Sequence, residues 1–397
     1  MSKRSLLMIP GPIEVSPTVL EAFQGPPPSH VAPDFIEKFG RALEMMREVW
    51  CASADSQPFV IAGSGTIAME MAVGNLLEPG QRALVVNTGY FSDRMAEMLR
   101  RRGVQLTEVG AEPGSVPSIA GIEQALDARQ VDAIFATHVD TSTGVRVDAQ
   151  AIAALARERG VLSVFDGVCA TAGEAFEMGE WGADVYLTAS QKAVGVPPGL
   201  ALMVASPRAL GAREALSEPP PMSVDWQQWL PIMNAYEQRQ GSYFSTPATN
   251  LVEALHTSLS EILVYERGGQ HGTQQGISAR VAAHTAAADA MRAAWSRMGL
   301  EIFPQSPELA ANTLSAVMYP EGVGPELLAD INKRGVIVAG GLYPGRKQTY
   351  FRVGHMGHVV TEPELLLQTV RAVAEALVEN GHDTDVGEAV SAAAERL

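Results

Sequence analysis

The chain has 397 residues, 46% of them apolar and 19% charged, with a formal net charge of −16. That length allows two domains around large cores, and the acidic balance speaks against nucleic acid or an anionic membrane as partner, because both call for a basic face. Cys51 and Cys169 stand far apart and no C-x-x-C or H-E-x-x-H occurs, so neither a disulfide framework nor a metal motif is signalled and a reducing compartment is expected.

Met1 to Pro10 starts basic and turns apolar, but the apolar run is too short for a signal-peptide core. No run approaches the length of a membrane span. The last residues, Ala394-Glu395-Arg396-Leu397, are not a Ser-Lys-Leu address, and cytoplasm is the expected location. Ile9-Pro10-Gly11-Pro12-Ile13 cannot be regular helix, since proline locks φ and removes donors. It reads as a rigid arm, lying either on the surface or across the mouth of a site. Gly25-Pro26-Pro27-Pro28-Ser29-His30 is an extended loop, and Pro33 opens a helix with a core stripe of Phe35, Phe39, Leu43, Met46 and Val49.

Phe59-Val60-Ile61 is a short strand, and Ala62-Gly63-Ser64-Gly65-Thr66 leads from it into a helix. Small residues at a helix start leave N–H groups free for an anion, so Ser64, Gly65 and Thr66 are candidates to hold a phosphate. Gly63-x-Gly65-x-x-Ala68 also fits a relaxed dinucleotide fingerprint. The next strand, however, Leu84-Val85-Val86, ends on Asn87 rather than on the acid a ribose needs. Asn87 to Arg94 makes a second strand-to-helix turn, whose helix points Met95, Met98 and Leu99 inward and ends in a solvated Arg100-Arg101-Arg102. Val131 to Ala136 is a buried strand that ends in Thr137-His138-Val139-Asp140-Thr141-Ser142-Thr143-Gly144, hydroxyls at the strand edge where open α/β sheets bind ligands. His138 reads as a satisfied structural histidine rather than a ligand neighbour.

Val161 to Phe165 is another buried strand and ends on Asp166. Asp184 to Thr188 follows, then Ala189-Ser190-Gln191-Lys192-Ala193, Pro197-Pro198-Gly199, and a second apolar run, Leu200 to Ala205. A lysine between two buried runs is displayed inward, where desolvation makes its amine a nucleophile toward carbonyls; the alternative is a loop lysine reaching water. A strand-end aspartate and a lysine one strand later are the two anchors of a pyridoxal 5′-phosphate site. The amine takes the aldehyde, and the carboxylate keeps the pyridine nitrogen protonated. Ser190 and Gln191 could reach phosphate oxygens, and Val168, two residues past Asp166, projects to the same side and packs on the ring.

Ser217 to Trp229 is proline-rich and reads as an irregular excursion. Gly241 to Pro247 precedes a helix from about Thr249, and helical pattern runs from Leu251 through Met291, bridging to a second domain near residue 266. Beyond it, strands at Leu314–Met318 and Val336–Ala339 alternate with helices. Arg352 stands on a short strand, Tyr350 to Gly354, after the tight turn Gly340 to Gly345. Its guanidinium offers either a fork for a carboxylate or a structural ion pair. Asn380 to Leu397 reads as a surface helix or frayed tail.

Ser-Gln-Lys-Ala with Pro-Pro-Gly behind it, the Pro10-Gly11-Pro12 arm, and Phe351-Arg352-Val353-Gly354-His355-Met356-Gly357 together resemble the class V aminotransferases among the fold type I pyridoxal-phosphate enzymes, closest to the alanine–glyoxylate aminotransferases. The resemblance covers nearly the whole chain. It implies an α/β fold: a large domain with a mostly parallel, doubly wound sheet (16–265), a smaller C-terminal α/β domain (266–397) and an N-terminal arm (1–15). It implies Lys192 and Asp166 as catalytic residues, Phe91 stacked on the cofactor ring opposite Val168, and Thr141 at the ring's polar edge. Gly11 would line the substrate mouth and Arg352 would bind the carboxylate. It places Tyr243 and Thr246 on the neighbouring subunit's phosphate, hence a homodimer with shared sites. Small amino and keto acids are the implied substrates, with alanine donating to glyoxylate; serine–glyoxylate and serine–pyruvate transamination, and a nicotinamide-dependent oxidoreductase, are the alternatives. The chain departs from the family pattern at Val31, where an arginine often follows the histidine, and at Asp140, where glutamate is usual.

Overall fold

The computed structural model describes residues 4–269 and 272–397. Its centre is a seven-stranded sheet in the order Gln57–Ala62, Leu200–Ala205, Val185–Ala189, Leu162–Asp166, Ala133–Thr137, Arg82–Asn87, Gln105–Gly110. Leu200–Ala205 runs antiparallel to both its neighbours, and the other strands run parallel to one another. Parallel neighbours need crossovers: Tyr90–Arg101 and Ala149–Glu158 provide them for adjacent strands, and Gly65–Leu76 carries the chain from the edge strand Gln57–Ala62 across to Arg82–Asn87. Every residue of Ala133–Thr137, Val185–Ala189 and Leu200–Ala205 is buried, which is why these strands read as continuous apolar runs rather than as alternation. The parallel strands all end at one edge, and Ala62, Asn87, Thr137, Asp166 and Ala189 gather there.

A separate apolar core, from Ala283 to Ala393 and joined by Met8, lies beyond the sheet. It is built on three antiparallel strands, Leu314–Met318, Tyr350–Gly354 and Ala339–Gly340, and on the helices Gly276–Arg297, Leu327–Lys333 and Pro363–Glu379. The N-terminal arm is tied to this unit, with Leu6–Leu7 pairing in parallel with Val336–Ile337. No helix among the described residues is long and apolar enough to cross a membrane.

Three elements differ from the sequence reading, and the tail takes one of its two expected forms. Ser217 to Trp229 is not wholly irregular: Trp226–Glu237 is a helix, despite Pro231 within it. Trp226, Trp229, Ile232, Met233 and Tyr236 form a buried face, Trp226 stacks on Phe59 at 5.5 Å, and Asp225 caps the start. Asp225 is also gripped by both Arg213 nitrogens at 2.8 and 2.7 Å. That buried face and cap outweigh one proline. The long bridge splits into Thr249–Val264 and Gly276–Arg297, separated by paired strands Glu266–Gly269 and Gly272–Gln275. Val336–Ala339 is two short strands, each on a different sheet. The tail carries a helix, Val386–Ala394, capped by Asp385 and packed on Gly276–Arg297 through buried Ala389 and Ala393.

Candidate active site

The ligand edge of the sheet collects most of the expected residues. Asp166 ends its strand with 2% of its surface exposed. One carboxylate oxygen accepts the Val168 N–H at 2.9 Å, and burial, with Asp140 nearby, pushes the carboxyl up to about 6. Lys192 and Arg94 pull the other way without overcoming that burial, and among the described residues no cation forms an ion pair with it. Lys192 follows the neighbouring strand, 8% exposed, and its Nζ donates to the carbonyl of Pro10. Burial holds the amine below the usual lysine range, Arg352 adds to this, and Cys169 and Asp166 oppose it. The Pro10-Gly11-Pro12 arm therefore crosses the site instead of lying on the surface. At Gly11, φ is +97° and an added Cβ would lie 2.5–2.9 Å from Lys192 Cδ, Nζ and Cε, so only glycine lets the arm pass so close.

Ser64 is the N-cap of Gly65–Leu76 but makes no side-chain cap, which leaves the first-turn N–H groups without that acceptor. A Cβ on Gly65 would sit 2.8 Å from Val168 Cγ2 and 3.6 Å from Ala189 Cβ, so this turn packs directly on the strand ends carrying Asp166 and Lys192. Gln191 Oε1 is buried with no hydrogen-bond partner among the described residues. Ser190 turns inward instead: its hydroxyl donates to Pro197 O at 2.8 Å and accepts from Leu200 N at 3.1 Å, so the polar contacts of its side chain are spent inside the lysine loop.

Asp140 is fully buried, which pushes its carboxyl up. It accepts from the N–H groups of Phe91 (3.2 Å), Ser92 (3.4 Å) and Ser142 (2.9 Å). It thus acts as the missing cap of Tyr90–Arg101, whose own N-cap is Gly89, and fixes the turn carrying Phe91. Its aspartate length suits that task. Arg352 is half-buried; its Nε donates to Gly340 O at 2.8 Å and Nη1 to Thr141 O at 3.2 Å. Among the described residues no carboxylate pairs with it, which argues against the structural ion pair. Thr141 is buried and contributes its carbonyl to this contact. His138 is structural, its Nδ1 2.9 Å from the Tyr186 hydroxyl, and burial lowers it to about 3.

Tyr243 and Thr246 lie apart from this cluster. Tyr243 is 64% exposed, 5.6 Å from the His30 ring, and Thr246 and Val31 are exposed as well. Three residues were not singled out from the sequence. Arg94 hydrogen-bonds Thr66; Cys169 is buried within electrostatic reach of Lys192 and Arg352; the Tyr350 hydroxyl ties Ser142 to the turn at Leu342 and Tyr343. Only Arg94, spaced i, i+4 from Tyr90, carried a readable signal.

Together these residues fit pyridoxal 5′-phosphate: an amine with its charged form disfavoured, and, among the described residues, a buried carboxylate without an ion pair, an open helix start and an unpartnered Gln191 amide oxygen. Residues 28–220 match the family described as aminotransferase class-V. The chain is 35% identical to alanine–glyoxylate aminotransferase 1 of Saccharomyces cerevisiae, over 88% of this chain and 91% of that protein. It is 29% identical to serine–glyoxylate aminotransferase of Hyphomicrobium methylovorum, over 98% and 93%. Among solved structures, alanine–glyoxylate aminotransferase from Nostoc sp. superposes with a TM-score of 0.86 at 26% identity, covering 95% of this chain and 96% of that one. The chain belongs to the class V aminotransferases, pyridoxal-phosphate-dependent enzymes that move amino groups between amino and keto acids.

Proposed function

We propose that this aminotransferase takes the amino group of a small monocarboxylic amino acid, alanine first, and gives it to glyoxylate. The observation that carries the reading is Arg352: a half-buried guanidinium held by two carbonyls and facing no carboxylate of its own among the described residues. It has donors left for one carboxylate, in the bidentate geometry that guanidinium favours. The Pro10-Gly11-Pro12 arm stands against Lys192 and narrows the space beside it, which suits a short side chain.

When bound, the cofactor supplies an aldehyde that exchanges amines and a ring that accepts electrons. Lys192 would hold it and, when free, would move a proton at the donor's α-carbon as base and acid. An amine held below the usual lysine range spends more of its time without its proton than a free lysine does, which favours the base form. Asp166 would keep a proton on the ring nitrogen. Phe91 and Val168 would flank the ring, Thr141 would meet its polar edge, and Ser64, Gly65, Thr66 and Gln191 would hold the phosphate, with Ser190 shaping the loop. Arg352 orients donor and acceptor in turn, so the keto product leaves before glyoxylate binds. The exposed Tyr243 and Thr246 reach the phosphate of a second copy, which makes the homodimer the working unit.

A donor-by-acceptor screen, reading the visible absorbance of the bound cofactor, tests this. Alanine with glyoxylate is expected to give the highest kcat/KM; a higher value with serine or with a dicarboxylic donor would replace the substrate assignment. Lys192→Ala is expected to end turnover while the protein elutes at wild-type size, and normal steady-state rates in that variant would remove Lys192 from the mechanism.

A further inference from the structure

We propose that Arg94 forms the cationic wall of the phosphate pocket, a positioning residue for the cofactor. Arg94 lies in the first turns of Tyr90–Arg101. Its Nη1 donates to Thr66 Oγ1 at 3.1 Å, across the start of Gly65–Leu76, and its Nη2 to the Tyr90 hydroxyl at 3.2 Å. The guanidinium carbon stands 5.1 Å from the ring centres of both Tyr90 and Phe91. Two hydroxyls and two aromatic rings thus fix a half-buried charge beside the turn that holds the free N–H groups.

What this guanidinium lacks among the described residues is an ion pair: Asp166 feels its charge through space but does not pair with it. The chain carries 45 acidic residues against 29 basic ones, so an arginine free to choose has many carboxylates to pair with. Arg146 takes Glu174 and Arg213 takes Asp225. Among the described residues Arg94 takes none, and its neighbour Asp93 is engaged by Asn87 instead. Two of its five donors are used on hydroxyls. Because Thr66 accepts from Arg94, its own O–H is left to donate. A phosphate seated on the Gly65 turn meets helix N–H groups, the Thr66 hydroxyl and a fixed positive charge. The helix end alone supplies only partial charge, and a dianion needs more. The same guanidinium lies against Phe91, so phosphate end and ring face are held by one side chain.

The proposal rests on the reading that the turn Ser64 to Thr66 takes the phosphate, and the test separates the two. Cofactor-free wild type, Arg94→Met and Arg94→Lys are melted with and without inorganic phosphate, and each is titrated with pyridoxal 5′-phosphate and with pyridoxal. Phosphate is expected to raise the melting temperature of wild type but not of Arg94→Met. Arg94→Met is expected to lose about tenfold or more in affinity for pyridoxal 5′-phosphate and less than about threefold for pyridoxal, the size of one charge-assisted contact. Arg94→Lys keeps the charge without the fork, so it falls between wild type and Arg94→Met, and it carries the test if Arg94→Met does not fold. Equal losses for both ligands, unchanged affinity in either variant, or wild-type stabilisation of Arg94→Met by phosphate would overturn the proposal. If phosphate does not stabilise wild type, the turn assignment itself falls and the proposal with it.

Discussion

Asp166 is buried and Arg352 half-buried, and on the proposed reading each finds its partner in a ligand, which sets how each responds to change. Pairing with a protonated pyridine nitrogen requires an ionised Asp166, and burial holds that carboxyl at about 6 in the cofactor-free protein. Below that value the group carries a proton that must leave on binding; above it there is none to lose. Cofactor affinity is therefore expected to fall as pH drops below 6, by up to about tenfold per unit, and to level off above 6. The cofactor phosphate titrates in the same range, so the measurement is the difference between wild type and Asp166→Asn, where the phosphate contribution remains. Parallel curves for the two would mean that Asp166 does not face the ring. For Arg352, truncation to alanine is expected to raise KM for amino donor and keto acceptor alike by roughly tenfold or more, the loss of one charge-assisted pair. An effect on one substrate only would mean that the two halves of the reaction use different anchors. Asp166, Lys192 and Arg352 were readable because each follows or sits on an apolar strand that fixes where it points. Arg94 and Cys169 were not singled out, because the groups they contact lie far away in sequence, Thr66 for one and Thr313 for the other.

Buried strands announce themselves by composition, and so the sheet and its ligand edge could be laid out from the sequence. The N-terminal arm could be recognised as rigid, but not its course, which depends on Leu6–Leu7 pairing with Val336–Ile337 over three hundred residues away. The Trp226–Glu237 helix was hidden by prolines on both sides of its start, since its stability comes from the Phe59 stack and the Arg213–Asp225 grip rather than from local preference. The arm's passage over Lys192 is itself testable. Gly11→Ala places a methyl where the lysine side chain runs and forces a left-handed backbone on a non-glycine residue. The expected result is a fall in kcat of roughly tenfold to a hundredfold, with a stability loss of about 1–2 kcal/mol from the backbone strain. Wild-type kcat in Gly11→Ala would mean that the arm stands clear of the lysine during turnover.

For the molecule as a whole, the open question is how many chains make one site. The sheet edge of a single chain supplies an amine, a carboxylate, an uncapped helix start and a guanidinium, yet Tyr243, at 64% exposed, and Thr246 sit outside it on the surface. A large aromatic exposed beside His30 and Val31 is the kind of apolar surface a second copy covers. If that copy's phosphate lies against Tyr243 and Thr246, two defects on different chains can be sorted into one dead site and one intact site. Lys192→Ala homodimers keep both Tyr243–Thr246 segments but no amine. Tyr243→Phe/Thr246→Ala homodimers keep both amines but hold the phosphate poorly. Dissociated, mixed in equal amounts and reassociated at random, about half of the dimers become hybrids with one complete site each, so activity recovers to about a quarter of wild type. Cofactor binding in the mixture rises in parallel. A mixture that exchanges subunits, as mass spectrometry of differently tagged chains would show, and yet stays as inactive as its parents would place Tyr243 and Thr246 outside the partner's site. It would leave each chain to complete its phosphate pocket alone.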